Sequence, residues 1–127
     1  MGENKKIKIL IAEDDGFLAE IYLTKLKLSG YEVSQAWDGV EVLEYLKKNE
    51  VDFLLLDFLM PRMGGIEVLE EMRRLGKYKD LPVIVLTNAA EKENVDKAFE
   101  LGARDYLVKS YHTPEEVVQK IKKVLNQ

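Results

Sequence analysis

The sequence predicts an α/β fold: a three-layer (βα)5 doubly wound sandwich, with helices covering both faces of a five-stranded parallel sheet. Three observations lead there. Short strand-like runs alternate strictly with segments of helical spacing, five of each. The connections between them are short, so right-handed crossovers lay the strands side by side and parallel. The strongest apolar runs are nearly unbroken, as strands buried on both faces are. At 127 residues the chain is one domain with room for a real core.

The elements follow in order. Residues 7–12 (IKILIA) read as the first strand. Residues 16–29 carry helical spacing, with Phe17, Ile21 and Leu28 near one face and Leu18 and Tyr22 beside them. Asp15 is placed to cap that helix and Gly30 to stop it. Residues 31–36 alternate as a strand with one wet face, and 38–49 return to helical spacing through Val42, Leu43 and Leu46. The apolar run 51–56 is a buried strand that stops at Asp57. Residues 65–75 are helical through Ile66, Leu69 and Met72, and Gly76 ends them. Residues 82–86 form a buried strand ending at Thr87, and 91–101 a helix with Val95, Ala98, Phe99 and Leu101. Residues 104–108 are a short strand ending at Lys109. Thr113 opens the last helix, with Pro114 at its first position and Glu116 completing a capping box.

Composition narrows the function. Hydrophobic residues make up 46% and charged residues 33%, an ordinary balance for a globular domain. With no Cys, thiolate zinc sites, iron–sulfur clusters and disulfides are excluded. No signal-peptide core follows Met1 and no apolar stretch spans a membrane, so a cytoplasmic protein without membrane insertion is expected. Met1-Gly2 is no myristoylation signal, because Lys occupies the sixth position. A net charge of −4 and the lack of a basic stripe disfavour direct nucleic-acid binding. Residues 1–6 are expected to be a flexible N-terminus and 7–127 a single domain without an output module.

The chemistry gathers at strand ends. Glu13 and Asp14, Asp57, Thr87 and Lys109 all follow predicted strands, so they share the carboxyl edge of the sheet, where open α/β folds bind ligands. Three neighbouring carboxylates repel, and a hard, oxygen-preferring divalent cation relieves that repulsion; Mg²⁺ fits a site with few protein ligands. A hydroxyl and an ammonium nearby suit phosphoryl oxygens. The set is a carboxylate nucleophile, a metal, a donor and a cation, as phosphoryl transfer to Asp57 requires.

At these residues the chain resembles a known family over nearly its whole length: the receiver domains of bacterial two-component response regulators, of the chemotaxis-regulator (CheY-like) type, here expected to stand alone. The matching segments are Ile9 to Asp15, Asp57 with Met60-Pro61 and Gly65, Val85-Leu86-Thr87, Gly102-Ala103, and Tyr106 to Lys109. The resemblance, not periodicity, implies the strand order 2-1-3-4-5. It implies that Asp57 accepts a phosphoryl group from a phosphohistidine of a sensor histidine kinase or histidine phosphotransfer protein. Asp14, Asp57 and the Leu59 backbone carbonyl would ligate Mg²⁺, or Mn²⁺ in its place, with Glu13 acting through bound water. Lys109 would pair with phosphoryl oxygens. Thr87 would hydrogen-bond the phosphoryl group and draw its loop inward, and Tyr106 would swing into the vacated space. The readout surface would be the fourth helix, fifth strand and fifth helix, with Lys92, Tyr106, Tyr111 and His112. It would bind a downstream protein, as a monomer or a weak phosphorylation-linked dimer.

Three departures from the family pattern stand out. Ser110 follows Lys109 where the family usually has Pro in a cis bond; since a cis non-proline bond costs roughly 2.5–4 kcal/mol, either a trans bond with a shifted loop or a strained cis bond is expected. Asn88 follows Thr87 where a small residue is usual, and either narrows access to Asp57 or donates to the phosphoryl group. Leu59 and Ala89, which by resemblance flank the hydrolytic water, cannot orient one, so a long-lived phosphoryl group is expected. Other classes fit less well. Dehalogenase-type phosphatases need a second Asp where Leu59 stands, so turnover hydrolysis is not expected, and Glu13-Asp14-Asp15 would repel a flavin phosphate. The alternative is a receiver that acts as a phosphorylation-independent interaction module. Asp15 is read as a cap, His112 as a surface residue and Trp37 as packing.

Overall fold

A computed structural model describes residues 5–89 and 91–126. The elements alternate as the sequence implies: β1 (Lys8–Ala12), α1 (Gly16–Leu28), β2 (Glu32–Ala36), α2 (Gly39–Lys48), β3 (Phe53–Leu56), α3 (Gly65–Leu75), β4 (Val83–Thr87), α4 (Lys92–Glu100), β5 (Asp105–Val108) and α5 (Pro114–Val124). A single 3-10 turn, Lys109–Tyr111, lies between β5 and α5. The strands form one parallel sheet in the order β2-β1-β3-β4-β5. Of the expected flexible N-terminus, residues 1–4 lie outside the described residues.

Each central strand divides its side chains between two cores, because successive Cβ atoms point to opposite faces. Leu10, Leu54, Leu56, Val83 and Val85 meet Val42 and Leu46 of α2, Val68 and Met72 of α3 and Ala98 of α4. Ile9, Ile11, Phe53, Leu55, Ile84 and Leu86 meet Tyr22 and Leu26 of α1 and Val117 and Ile121 of α5.

Local signals set the helix ends. The Asp15 side chain accepts from the Phe17 and Leu18 amides at 3.0 and 3.1 Å, and Asp38 does the same for Glu41 at 2.9 Å. Thr113 and Glu116 form the expected capping box. Gly76 ends α3 in the left-handed conformation, φ 73°, where a side chain is strained.

The phase of α1 differs from its sequence reading. Ala19, Tyr22 and Leu26 are buried, whereas Phe17 and Leu28 are 81% and 83% exposed. Apolar residues occur all round this helix, so spacing alone does not choose the inward face. Trp37, read as packing, is about half exposed, with its ring beside Gly16.

Candidate functional site

The carboxyl edge of the sheet brings the acidic segments together through backbone register. Ala12 pairs with Ala36 on one side and Leu56 on the other. Just beyond, the Glu13 amide donates to Ala36 O and the Asp57 amide to Ala12 O, each at 3.1 Å. Glu13 and Asp57 thus leave adjacent strands at one level. Both are buried, at 3% and 4% exposure, while Asp14 is exposed. One carboxylate oxygen from each of Glu13, Asp14 and Asp57 lies within 4.8 Å of the others.

Lys109 enters from the end of β5. Its Nζ lies 2.6 Å from Glu13 Oε1 and 2.8 Å from Asp57 Oδ2, with the side chain largely covered. Burial works against the Lys109 charge, but hydrogen bonds to Asp57 and Glu13 outweigh it and hold its pKa above the ordinary lysine value. Burial also raises the Glu13 carboxyl, against the opposing bond from Lys109 and the Asp15 amide. Three carboxylates and one ammonium leave a formal charge of −2. That balance and the all-oxygen donor set fit a hard divalent cation.

The other sequence-predicted residues have contacts of their own. Leu59 donates its amide to Asp57 Oδ1 at 3.1 Å, and its side chain is 62% exposed. Thr87 is fully buried, and its hydroxyl oxygen accepts from the Ala89 amide at 3.2 Å. The Tyr106 hydroxyl donates to Ala89 O, and its ring meets Phe58 edge-on at 5.7 Å. Asp15 turns away to its capping role. Lys92 and Tyr111, of the expected readout surface, are exposed and His112 is half-buried.

Two of the departures from the family pattern prove to touch. Lys109–Ser110 is trans, the first of the two expected options, since the described residues contain no cis bond. The Ser110 amide donates to Asn88 Oδ1 at 3.1 Å. Asn88 is thus engaged with the next loop, an arrangement foreseen by neither of its two sequence readings.

Most of the supporting residues had no signal in the sequence. Gln35 donates to Glu13 O at 3.1 Å. Arg62 Nε reaches Asp38 Oδ2 at 2.6 Å, tying the β3–α3 loop to the start of α2. Gly65 is required because a Cβ there would lie 2.5 Å from Asp57 O and collide with the Phe58 ring. Of these only Gly65 carried a signal, as the glycine that follows the Met60-Pro61 turn.

Comparison with known proteins agrees with this architecture. Residues 9–122 match the family model described as the response regulator receiver domain. The chain is 36% identical over 123 residues to a probable transcriptional regulator, ycf27, of Porphyridium aerugineum, covering 97% of this chain and 50% of that protein. It is 35% identical over 121 residues to response regulator MprA of Mycobacterium sp. (strain KMS), covering 95% and 51%. The chain thus spans about half the length of these curated relatives. Among solved structures it superposes on a CheY-like receiver domain protein from Methanospirillum hungatei with a TM-score of 0.88 and 30% identity, covering 96% and 95% of the two chains.

Proposed function

Because this chain belongs to the response regulator receiver family, we propose that it is a phosphoryl-accepting switch whose acceptor is Asp57. The family is one of signalling domains, and the chain is not a turnover enzyme. The observation that carries the proposal is the buried Asp57 carboxylate, paired with Lys109 at 2.8 Å and grouped with Glu13 and Asp14. An Asp57 oxygen attacks the phosphorus of a phosphohistidine on a sensor histidine kinase or histidine phosphotransfer protein. The new O–P bond makes an acyl phosphate, the P–N bond breaks, and the imidazole leaves with the electron pair.

Asp14, Asp57 and the Leu59 carbonyl would hold Mg²⁺, or Mn²⁺, with Glu13 acting through water. The ion supplies charge neutralisation at the phosphoryl oxygens. Lys109 is already at the acceptor and neutralises a further charge. Thr87 exchanges its bond from the Ala89 amide for one to the phosphoryl group, and Ala89 also carries the acceptor for Tyr106. A pull on Thr87 therefore reaches Tyr106 through one residue. The α4–β5–α5 surface, with exposed Lys92 and Tyr111, passes that change to a downstream protein as a population shift. No described helix is long and apolar enough to cross a membrane. The role proposed is cytoplasmic, as a monomer or a weak phosphorylation-linked dimer. The relatives' longer chains place similar domains in transcriptional regulators and response regulators; a downstream protein rather than nucleic acid is the target proposed for this chain.

The test is intact mass after incubation with acetyl phosphate and Mg²⁺. A gain of one phosphoryl group that needs both Mg²⁺ and Asp57, and is lost in Asp57→Asn, supports the switch. No gain despite Mg²⁺ binding overturns it and assigns the chain to phosphorylation-independent interaction.

A further inference from the structure

We propose that Asn88 is a positioning residue for Lys109: its side-chain carbonyl holds the main chain beside Lys109 and thereby aims the ammonium at Asp57. The inference rests on the reading of Asp57 as the phosphoryl acceptor. The β4–β5 pairing ends at Thr87 with Val108. Beyond it the chain enters the turn Lys109–Tyr111, whose own closing bond, from the His112 amide to Lys109 O, is long at 3.5 Å. The turn is therefore weakly fixed by itself.

Asn88 supplies a tie from outside. The Ser110 amide donates to Asn88 Oδ1 at 3.1 Å, and among the described residues no other side chain bonds the backbone of this turn. The donor is an N–H, so the oxygen of the amide must face it. The tie extends the link between two strands one step past their last backbone pair.

That step matters because of what Lys109 must choose between. Its ammonium lies between Glu13 Oε1 at 2.6 Å and Asp57 Oδ2 at 2.8 Å. A four-carbon side chain is aimed by where its Cα sits, and small misplacements at a reacting centre are costly in rate. A turn released from Asn88 lets the ammonium settle toward Glu13 or toward water. The two unusual residues also depend on each other. Proline at position 110 would have no N–H to give, and a small aliphatic residue at position 88 would have nothing to receive it. The tie also joins the segment that follows Thr87 to the segment that carries Lys109, the two proposed phosphoryl-binding side chains.

The experiment is a double-mutant cycle on the full chain with Asn88→Ala, Ser110→Ala, Ser110→Pro and the pair Asn88→Ala/Ser110→Pro. One readout is acetylation of the Lys109 amine by an N-hydroxysuccinimide ester, mapped by peptide mass without any phosphoryl donor. The other is the maximal rate of phosphorylation by acetyl phosphate, with Mg²⁺ affinity measured in parallel. Asn88→Ala should raise Lys109 labelling and slow phosphorylation by about fivefold, the worth of one neutral hydrogen bond, while Mg²⁺ affinity stays as in the parent. Ser110→Ala keeps the N–H and should behave as the parent. In the Ser110→Pro background, Asn88→Ala should add nothing. An equal effect of Asn88→Ala in both backgrounds, or none in either, overturns the proposal. If the parent protein gains no phosphoryl group, the switch reading fails, and the labelling cycle still decides whether Asn88 positions Lys109.

Discussion

Leu59 and Ala89 bring no polar side-chain atom to the acidic centre, although the Leu59 amide is bound to Asp57 Oδ1 at 3.1 Å. Leu59→Asn, at an exposed position that tolerates a polar group, should hasten the decay of phospho-Asp57 by about fivefold, the worth of one hydrogen bond to the attacking water. Decay followed by intact mass checks it, and an unchanged lifetime rejects the role. At this scale the convergence of Glu13, Asp14, Asp57 and Lys109 was legible because each follows a strand, and the strand ends of a parallel sheet share one edge. Their partners were not. Asn88 with Ser110, Gln35 with Glu13, and Phe58 with Tyr106 are contacts between segments far apart in sequence. Which side chains meet there depends on strand register, and no local pattern states it.

The start of α2 and the β3–α3 loop act as one unit. Asp38 caps the helix through Oδ1 and receives Arg62 through Oδ2, while the Gly39 amide donates to Met63 O at 2.9 Å. Arg62 sits at φ 64°, a conformation a side chain resists, and its bond to Asp38 accompanies that cost. The hydrogen bond from Arg62, with help from the Glu41 amide, holds the Asp38 carboxyl below the usual aspartate value. A carboxyl lowered by folding adds stability above its unfolded pKa, about 3.9, and loses it as pH falls through the folded value. Unfolding midpoints measured from pH 6 down to 2 should therefore fall less steeply in Asp38→Asn than in the parent. Gly65→Ala should cost about 1–3 kcal/mol in denaturant unfolding, because the added methyl meets the Asp57 backbone as well as a movable ring. Other helix ends were legible in the sequence, from Asp15 before α1, Gly76 after α3 and Thr113 before α5. The inward face of α1 was not, since apolar residues occur all round the helix and its packing on the sheet and α5 selects Ala19, Tyr22 and Leu26.

Across the whole molecule, the residual charge of −2 at the sheet edge means that the proposed metal would bind with a gain in stability. Mg²⁺ at a hundredfold excess over its dissociation constant should stabilise the fold by about 2.7 kcal/mol. Thermal unfolding with and without the ion should show a rise of several degrees that Asp14→Asn reduces. The number, type and alternation of the elements were readable from periodicity. The order of the strands came only through family likeness, because spacing along the chain does not say which neighbour a strand chooses. β5 is the last strand in the chain, lies at the sheet margin and carries Lys109 beyond its end. The acidic residues therefore precede their ammonium along the chain, and in a sheet without β5 the repulsion among Glu13, Asp14 and Asp57 would be unrelieved by Lys109. Docking of this marginal strand and the pairing of the acidic cluster with Lys109 are therefore one event.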